Sequence, residues 1–266
     1  MIVSHRRVAL LAVLLATLMG LSVSACGSDD ESTANAGDSR EVVVSAAASL
    51  KKALTSYGDQ FDSATVRLSF AGSDELAAQI RQGIKPDVFA AANTKLPDQL
   101  FKEGLVEKPV RFATNELVLA VPADGGDKVA SLADLTGNDV TIAVGAKGVP
   151  VGDYTLKVLD GLPQAQPKAI LANVRSREPD VGGIVGKLTQ GAVDAGFVYR
   201  SDVEGAAGKL KAIELPDELK PTVEYGVAIV KGARNKAGGQ AFVDGLLEGA
   251  GAKALADNGF GAPGGG

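Results

Sequence analysis

Along this chain the spacing of apolar positions switches repeatedly between the pattern of a buried strand and that of an amphipathic helix. Val42, Val43 and Val44 form an unbroken β-branched run, which suits a strand covered on both faces. After three alanines, Leu50, Ala53, Leu54, Tyr57 and Phe61 recur at helical spacing and make one apolar stripe. The same alternation predicts strands at 65–70, 87–91 and 116–121, with helices at 74–82 and around 97–102. A polar, Gly-rich interruption from Pro122 to Lys128 marks a boundary. Beyond it the pattern restarts, with strands expected at 140–144, 168–172 and 195–199 and helices after Gly152 and over 181–190. A strand at 222–230 and a helix at 236–258 complete the chain. Strands alternating with helices predict an α/β protein built on mostly parallel sheets.

Four junctions between these elements carry candidate chemistry. Ser49 follows Ala46, Ala47 and Ala48, and Ser73 follows Ala71 and Gly72, so each leads from a strand through small residues into a helix. Either serine is explained as a plain N-cap. Either would equally head a helix whose free N–H groups and positive dipole end favour an anion. Two such junctions in neighbouring βα units share one sheet edge, where ligands of α/β sheets bind. At the third junction Pro150 makes Val149 extended, and Gly152 frees the backbone before a helix expected near Asp153. The Val151 N–H would then be an unpaired donor, although an ordinary strand–helix turn accounts for the same residues. At the fourth, Val181 opens an apolar stripe, Gly191 ends it, and Tyr199 closes a buried strand, where packing with a satisfied hydroxyl is the plainer role.

Composition narrows the chemistry. Of 266 residues 45% are hydrophobic, enough for one or two packed cores. The single histidine, His5, lies in a segment expected to be removed. His-dependent nucleophiles and His-based metal sites are therefore excluded. Residues 1–25 place His5, Arg6 and Arg7 before a 16-residue apolar stretch, Val8 to Val23, and Cys26 follows Val23-Ser24-Ala25. This resembles a bacterial lipoprotein signal peptide, which implies cleavage before Cys26 and acylation of that thiol. Residues 26–40 are then a polar, lipidated tether giving about 20 Å of play above a membrane. The remaining chain carries 25 basic against 32 acidic residues, a net −7. No basic footprint for nucleic acid exists, and an anionic ligand would have to be held by local dipoles.

The blocks AAASL, FAGSDELAAQI, KPDVFAAANTKLPDQLFKEGLV, NELVLAVP, VPVGDY, PDVGGIVGKLTQGAVDAGFVY and YGVAIVKGARNKAGGQAFVDGLL occur in the serial order of one family. In this the chain resembles the molybdate-binding proteins of ABC transporters, over about Val42 to Phe260. The resemblance implies a two-lobed class II periplasmic-binding fold, each lobe a mostly parallel sheet flanked by helices. Lobe one would comprise 41–121 plus 222–262, lobe two 122–221, with a disordered tail at 263–266. It implies a binding protein rather than an enzyme, extracytoplasmic and monomeric, held to the membrane by its lipid and delivering molybdate or tungstate to a permease. No cofactor is implied, and no metal beyond that of the oxyanion. Its ligand set maps onto the hydroxyls and N–H groups of Ser49 and Ser73, the N–H groups of Val151 and Val181, and the Tyr199 hydroxyl. The family usually has Ala where Val151 stands, a change that a backbone donor tolerates. Asp153 puts a carboxylate close to that donor, and Val174 offers a rival register for Val181. Such a site contains donors only, so it should refuse a protonated anion such as hydrogen phosphate and bind with little pH dependence between about 6 and 8. Two alternatives remain: a site for another oxyanion such as sulfate, and a serine hydrolase that would need a lysine base.

Overall fold

The computed structural model describes residues 41–125 and 127–264. The expected signal peptide at 1–25, Cys26 and the tether at 26–40 lie outside the described residues, as do the last two residues of the expected tail. The valine run forms the core of β1 (Glu41–Ala47), from which a 3-10 turn, Ala48–Leu50, leads into α1 (Lys51–Gly58). The α1 stripe buries Ala53, Leu54 and Tyr57, and the Tyr57 ring packs 4.6 Å from that of Phe242. The chain continues through β2 (Thr65–Ala71), α2 (Ser73–Arg81), β3 (Val88–Ala91), α3 (Lys95–Lys102) and β4 (Val110–Asn115). It then crosses at Glu116 into β5 (Leu117–Pro122), β6 (Ile142–Gly145), α4 (Pro150–Asp160), α5 (Ala165–Ala172) and β7 (Val174–Glu178). After these come α6 (Val181–Thr189), β8 (Ala195–Tyr199), α7 (Arg200–Gly205) and β9 (Leu210–Ile213). The chain returns through β10 (Val223–Ile229), α8 (Lys236–Glu248) and α9 (Ala250–Ala256).

Two five-stranded sheets result, ordered β2-β1-β3-β10-β4 and β7-β6-β8-β5-β9. They are one layout used twice. In each, the second strand of the order, β1 or β6, is parallel to both neighbours, and one strand, β10 or β5, runs antiparallel between two others. That odd strand is the one the chain enters after crossing from the other lobe. The crossing at Glu116 puts β5 in the second sheet, whereas the sequence reading kept residues up to 121 in lobe one. Among the described residues no helix is long and apolar enough to cross a membrane.

Several elements differ from the expected ones. Residues 168–172 belong to helix α5, not to a strand. The segment is rich in Ala and Leu, good helix formers, and Pro167 falls in its first turn where a missing N–H costs nothing. The strands β4, β7 and β9, absent from the reading, are sheet edges whose polar residues leave no apolar run to see. The final helix is broken at Gly249 into α8 and α9.

Candidate functional site

The parallel strands of both sheets point their C-terminal ends at one cavity of about 210 Å³. Ser49, Ser73, Val151, Val181 and Tyr199 all line it, brought together from five separate junctions. Ala47, Ala48, Gly72 and Ala92 supply backbone-only walls on the first side, as the run of small residues suggested.

Neither serine is an N-cap. Ser73 is the first residue of α2 behind Gly72, and Ser49 lies in the 3-10 turn ahead of α1, with no side-chain cap at either helix. Their hydroxyls are engaged from behind instead. The Ala92 N–H donates to Ser73 Oγ at 3.0 Å. Ser49 Oγ lies 3.0 Å from the Tyr225 hydroxyl, which in turn accepts from Asn115 Nδ2 at 3.5 Å. Asn115 Nδ2 also donates to Ser201 Oγ at 2.8 Å, so this chain of hydrogen bonds joins the site to the lobe crossing. Either hydroxyl of the Ser49–Tyr225 pair can be the donor, since the tyrosine oxygen has a lone pair for Asn115 and another for Ser49. The Ser73 oxygen thus accepts from the protein, which leaves its proton for an acceptor in the cavity.

On the second side α4 begins at Pro150, three residues before the expected Asp153, with Val149 extended as its N-cap. Gly152 is needed for close approach: a β-carbon there would fall 2.3 Å from the Ala146 carbonyl oxygen. Pro150 has no N–H, and the Val151 N–H belongs to the helix turn whose donors lack intrahelical acceptors. Asp153 turns away from the cavity, with Oδ1 accepting from the Gly148 N–H at 3.0 Å and Oδ2 3.7 Å from Lys95 of the first lobe. Val181 opens α6 behind Asp180, whose Oδ1 caps the helix by accepting from the Gly183 N–H at 3.0 Å. Asp180 is a cavity residue that sequence reasoning missed, although Asp before Val-Gly-Gly at a helix start is an N-cap signal. It is the only carboxylate in the lining.

Tyr199 ends β8 with 1% of its surface exposed, and its hydroxyl has no hydrogen-bond partner among the described residues. Burial raises its pKa well above the usual tyrosine value, with Tyr225 and Tyr154 adding to the effect, so it remains a donor. Behind it Asp202 accepts from the Tyr199 N–H at 3.0 Å. Burial of the Asp202 carboxyl pushes its pKa up to about 7, with the Tyr199 N–H opposing and Asp180 adding. The lining contains no Lys or Arg, and among the described residues no cluster of His, Cys, Asp and Glu could hold a metal ion. What the cavity offers is neutral hydroxyls and amide donors at helix starts, a setting for an anion with unprotonated oxygens.

Residues 42–261 match the family described as bacterial extracellular solute-binding protein. The chain is similar to the molybdate-binding protein ModA of Mycobacterium tuberculosis, 34% identical with 94% of this chain and 97% of the relative covered. Among solved structures it is similar to the substrate-binding domain of a putative molybdenum ABC transporter from Clostridium difficile (29% identity, TM-score 0.62, 84% of this chain and 98% of that one). It also shares its fold with the periplasmic molybdate-binding protein of Azotobacter vinelandii (22% identity, TM-score 0.75, 84% and 99% covered).

Proposed function

The chain belongs to the bacterial extracellular solute-binding proteins and, within them, to the molybdate-binding proteins; on that premise we propose that its cavity captures molybdate, and tungstate with it, for delivery to an ABC permease. It acts outside the cytoplasm as a binding protein and not as an enzyme. Cys26 carries the lipid that tethers a monomer to the membrane. Lobe one donates the hydroxyls and N–H groups of Ser49 and Ser73; lobe two donates the N–H groups of Val151 and Val181 and the Tyr199 hydroxyl. Residues 41–115 with 223–262 form lobe one, and 117–222 form lobe two.

One observation carries this reading above the others: Tyr199 is buried in the cavity with a hydroxyl that nothing in the described protein accepts. A buried, unpaired hydroxyl costs about 1–3 kcal/mol and calls for an acceptor. The Ser73 proton supports the same reading, because its oxygen already accepts from the Ala92 N–H. About seven donors to charged oxygens, each contributing about 1.5–3 kcal/mol before desolvation and closure are charged against them, support submicromolar binding.

Titration calorimetry of the purified protein with molybdate, tungstate, sulfate and phosphate tests it. Molybdate and tungstate should bind tightly and sulfate by size alone. Phosphate should bind at least about tenfold more weakly, because its O–H meets donors at Ser49, Ser73, Val151, Val181 and Tyr199, and the one lining carboxylate, Asp180, is held at Oδ1 by the Gly183 N–H as a helix cap. Phosphate binding as tightly as molybdate would overturn the donor-only assignment.

A further inference from the structure

Gly72, the N-cap of α2, has no conformational need to be glycine. It sits at φ −59°, ψ 137°, which any residue adopts. At an N-cap Ser, Thr, Asp or Asn would add a hydrogen bond that glycine lacks. Within its own lobe a β-carbon at this position would meet Asp74 Oδ1, at 2.9 Å, the mobile end of a side chain. The obstacle is the opposite lobe, where the same β-carbon would stand 2.4 Å from the Pro179 carbonyl oxygen. Among the described glycines it is the one whose β-carbon would strike the backbone of the other lobe. The sequence gap filled by nothing is therefore a gap the two lobes share.

We propose that Gly72 sets how closely the lobes approach around the bound oxyanion, so that a single methyl group at this position holds the cleft ajar. The inference rests on the function proposed above. Ordinary contact for a β-carbon begins at 3.4 Å, so Gly72→Ala asks for about 1 Å more separation between Gly72 and Pro179. That separation falls on the site itself, because Gly72 precedes Ser73 and Pro179 lies two residues before Val181. Hydrogen bonds to a charged oxygen work at about 2.7–2.9 Å and are largely lost when stretched by that much. An anion seated on one lobe then misses the donors of the other, and affinity should fall at least about a hundredfold.

The test compares the parent, Gly72→Ala and a control, Gly186→Ala, whose β-carbon would meet nothing within 4 Å. Molybdate affinity comes from calorimetry, lobe closure from the fall in radius of gyration on adding molybdate, and integrity of the lobes from the melting temperature without ligand. For Gly72→Ala the ligand-free melting temperature should stay within a few degrees of the parent's, because Ala is a poorer N-cap than Gly but restricts the unfolded chain. Its affinity should fall about a hundredfold or more and its contraction should be incomplete, while Gly186→Ala matches the parent. Affinity within about threefold of the parent, full contraction despite weak binding, or a clear drop in ligand-free melting temperature would each overturn the inference. A parent that binds no oxyanion at all sinks the functional reading instead. A parent that binds, beside an unaffected Gly72→Ala, sinks only the closure role.

Discussion

Replacing Tyr199 with Phe should make the ligand-free protein more stable and the binding protein worse, two changes of opposite sign from one oxygen atom. The ring itself is held by edge contacts to Tyr154 and Tyr225, with centroids 6.5 and 6.0 Å away, and Phe keeps both. What disappears is a hydroxyl buried without a partner among the described residues. For as long as the lobes stay closed, relieving it is worth about 1–3 kcal/mol, which for a domain of this size raises the melting temperature by about 2–12 °C. With molybdate present the same hydroxyl donates to a charged oxygen, so its loss weakens binding by about 1.5–3 kcal/mol, or about 10- to 150-fold. At molybdate about 100 times the parent's Kd, the parent gains about 2.7 kcal/mol from the ligand. A variant with hundredfold weaker binding gains only about 0.4 kcal/mol at that concentration. Molybdate should therefore raise the melting temperature of the parent well beyond that of the variant, narrowing or reversing the ligand-free difference. A lower ligand-free melting temperature for Tyr199→Phe would mean that the hydroxyl has a partner in solution. An unchanged Kd would mean that it never reaches the anion.

Ser49→Ala and Ser73→Ala should each weaken molybdate binding by about 10- to 100-fold in calorimetry. Ser73→Ala should also lower ligand-free stability by about 1–3 kcal/mol, because it strips the Ala92 N–H of its acceptor. Asp202 holds its proton up to about pH 7 in the folded protein against an ordinary 3.8. Its contribution to stability is therefore full below about pH 4 and is lost as pH rises through 7. Neutral Asp202 also repels a nearby dianion less, so molybdate should bind more tightly at about pH 6 than at about pH 8, and Asp202→Asn should flatten that profile. Cys26→Ser should move the full-length protein out of the membrane fraction or leave it unprocessed, and an unmodified Cys26 in the intact mass of the mature protein would refute the anchor.

Much of this was legible in the residues, and the failures follow a pattern. Central strands such as β1 and β8 are buried on both faces and so announce themselves as apolar runs; the edges β4, β7 and β9 do not. Local signals marked residues that the fold gathers around one cavity, at strand ends and helix starts, although each junction alone read as an ordinary cap, turn or packing position. They failed on what the side chains there touch. Nothing near Ser49 in sequence points to Tyr225, 176 positions away, and nothing near Ser73 points to Ala92. The serines thus read as caps when their hydroxyls are engaged by distant partners. The expectation of pH-independent binding considered reference pKa values, whereas Asp202 owes its shift to burial that only the fold creates.

The doubled layout explains how an acidic protein can close on a dianion with no cation in its lining. Because β1 matches β6 and β2 matches β7 in the sheet orders, Ser49 and Ser73 of one lobe stand in the places that Val151 and Val181 hold in the other. Four helix beginnings therefore face one another across a cavity of about 210 Å³. Each presents about half a positive charge, so together they offer about two, the reverse of a molybdate dianion. Without an anion between them these ends repel, and bringing the lobes together works against that repulsion. With a dianion the same four ends attract a common centre. A Lys or Arg in the lining would have bound the anion to one open lobe and removed the reason to close. Neutral donors divided between two lobes make closure depend on the anion being there.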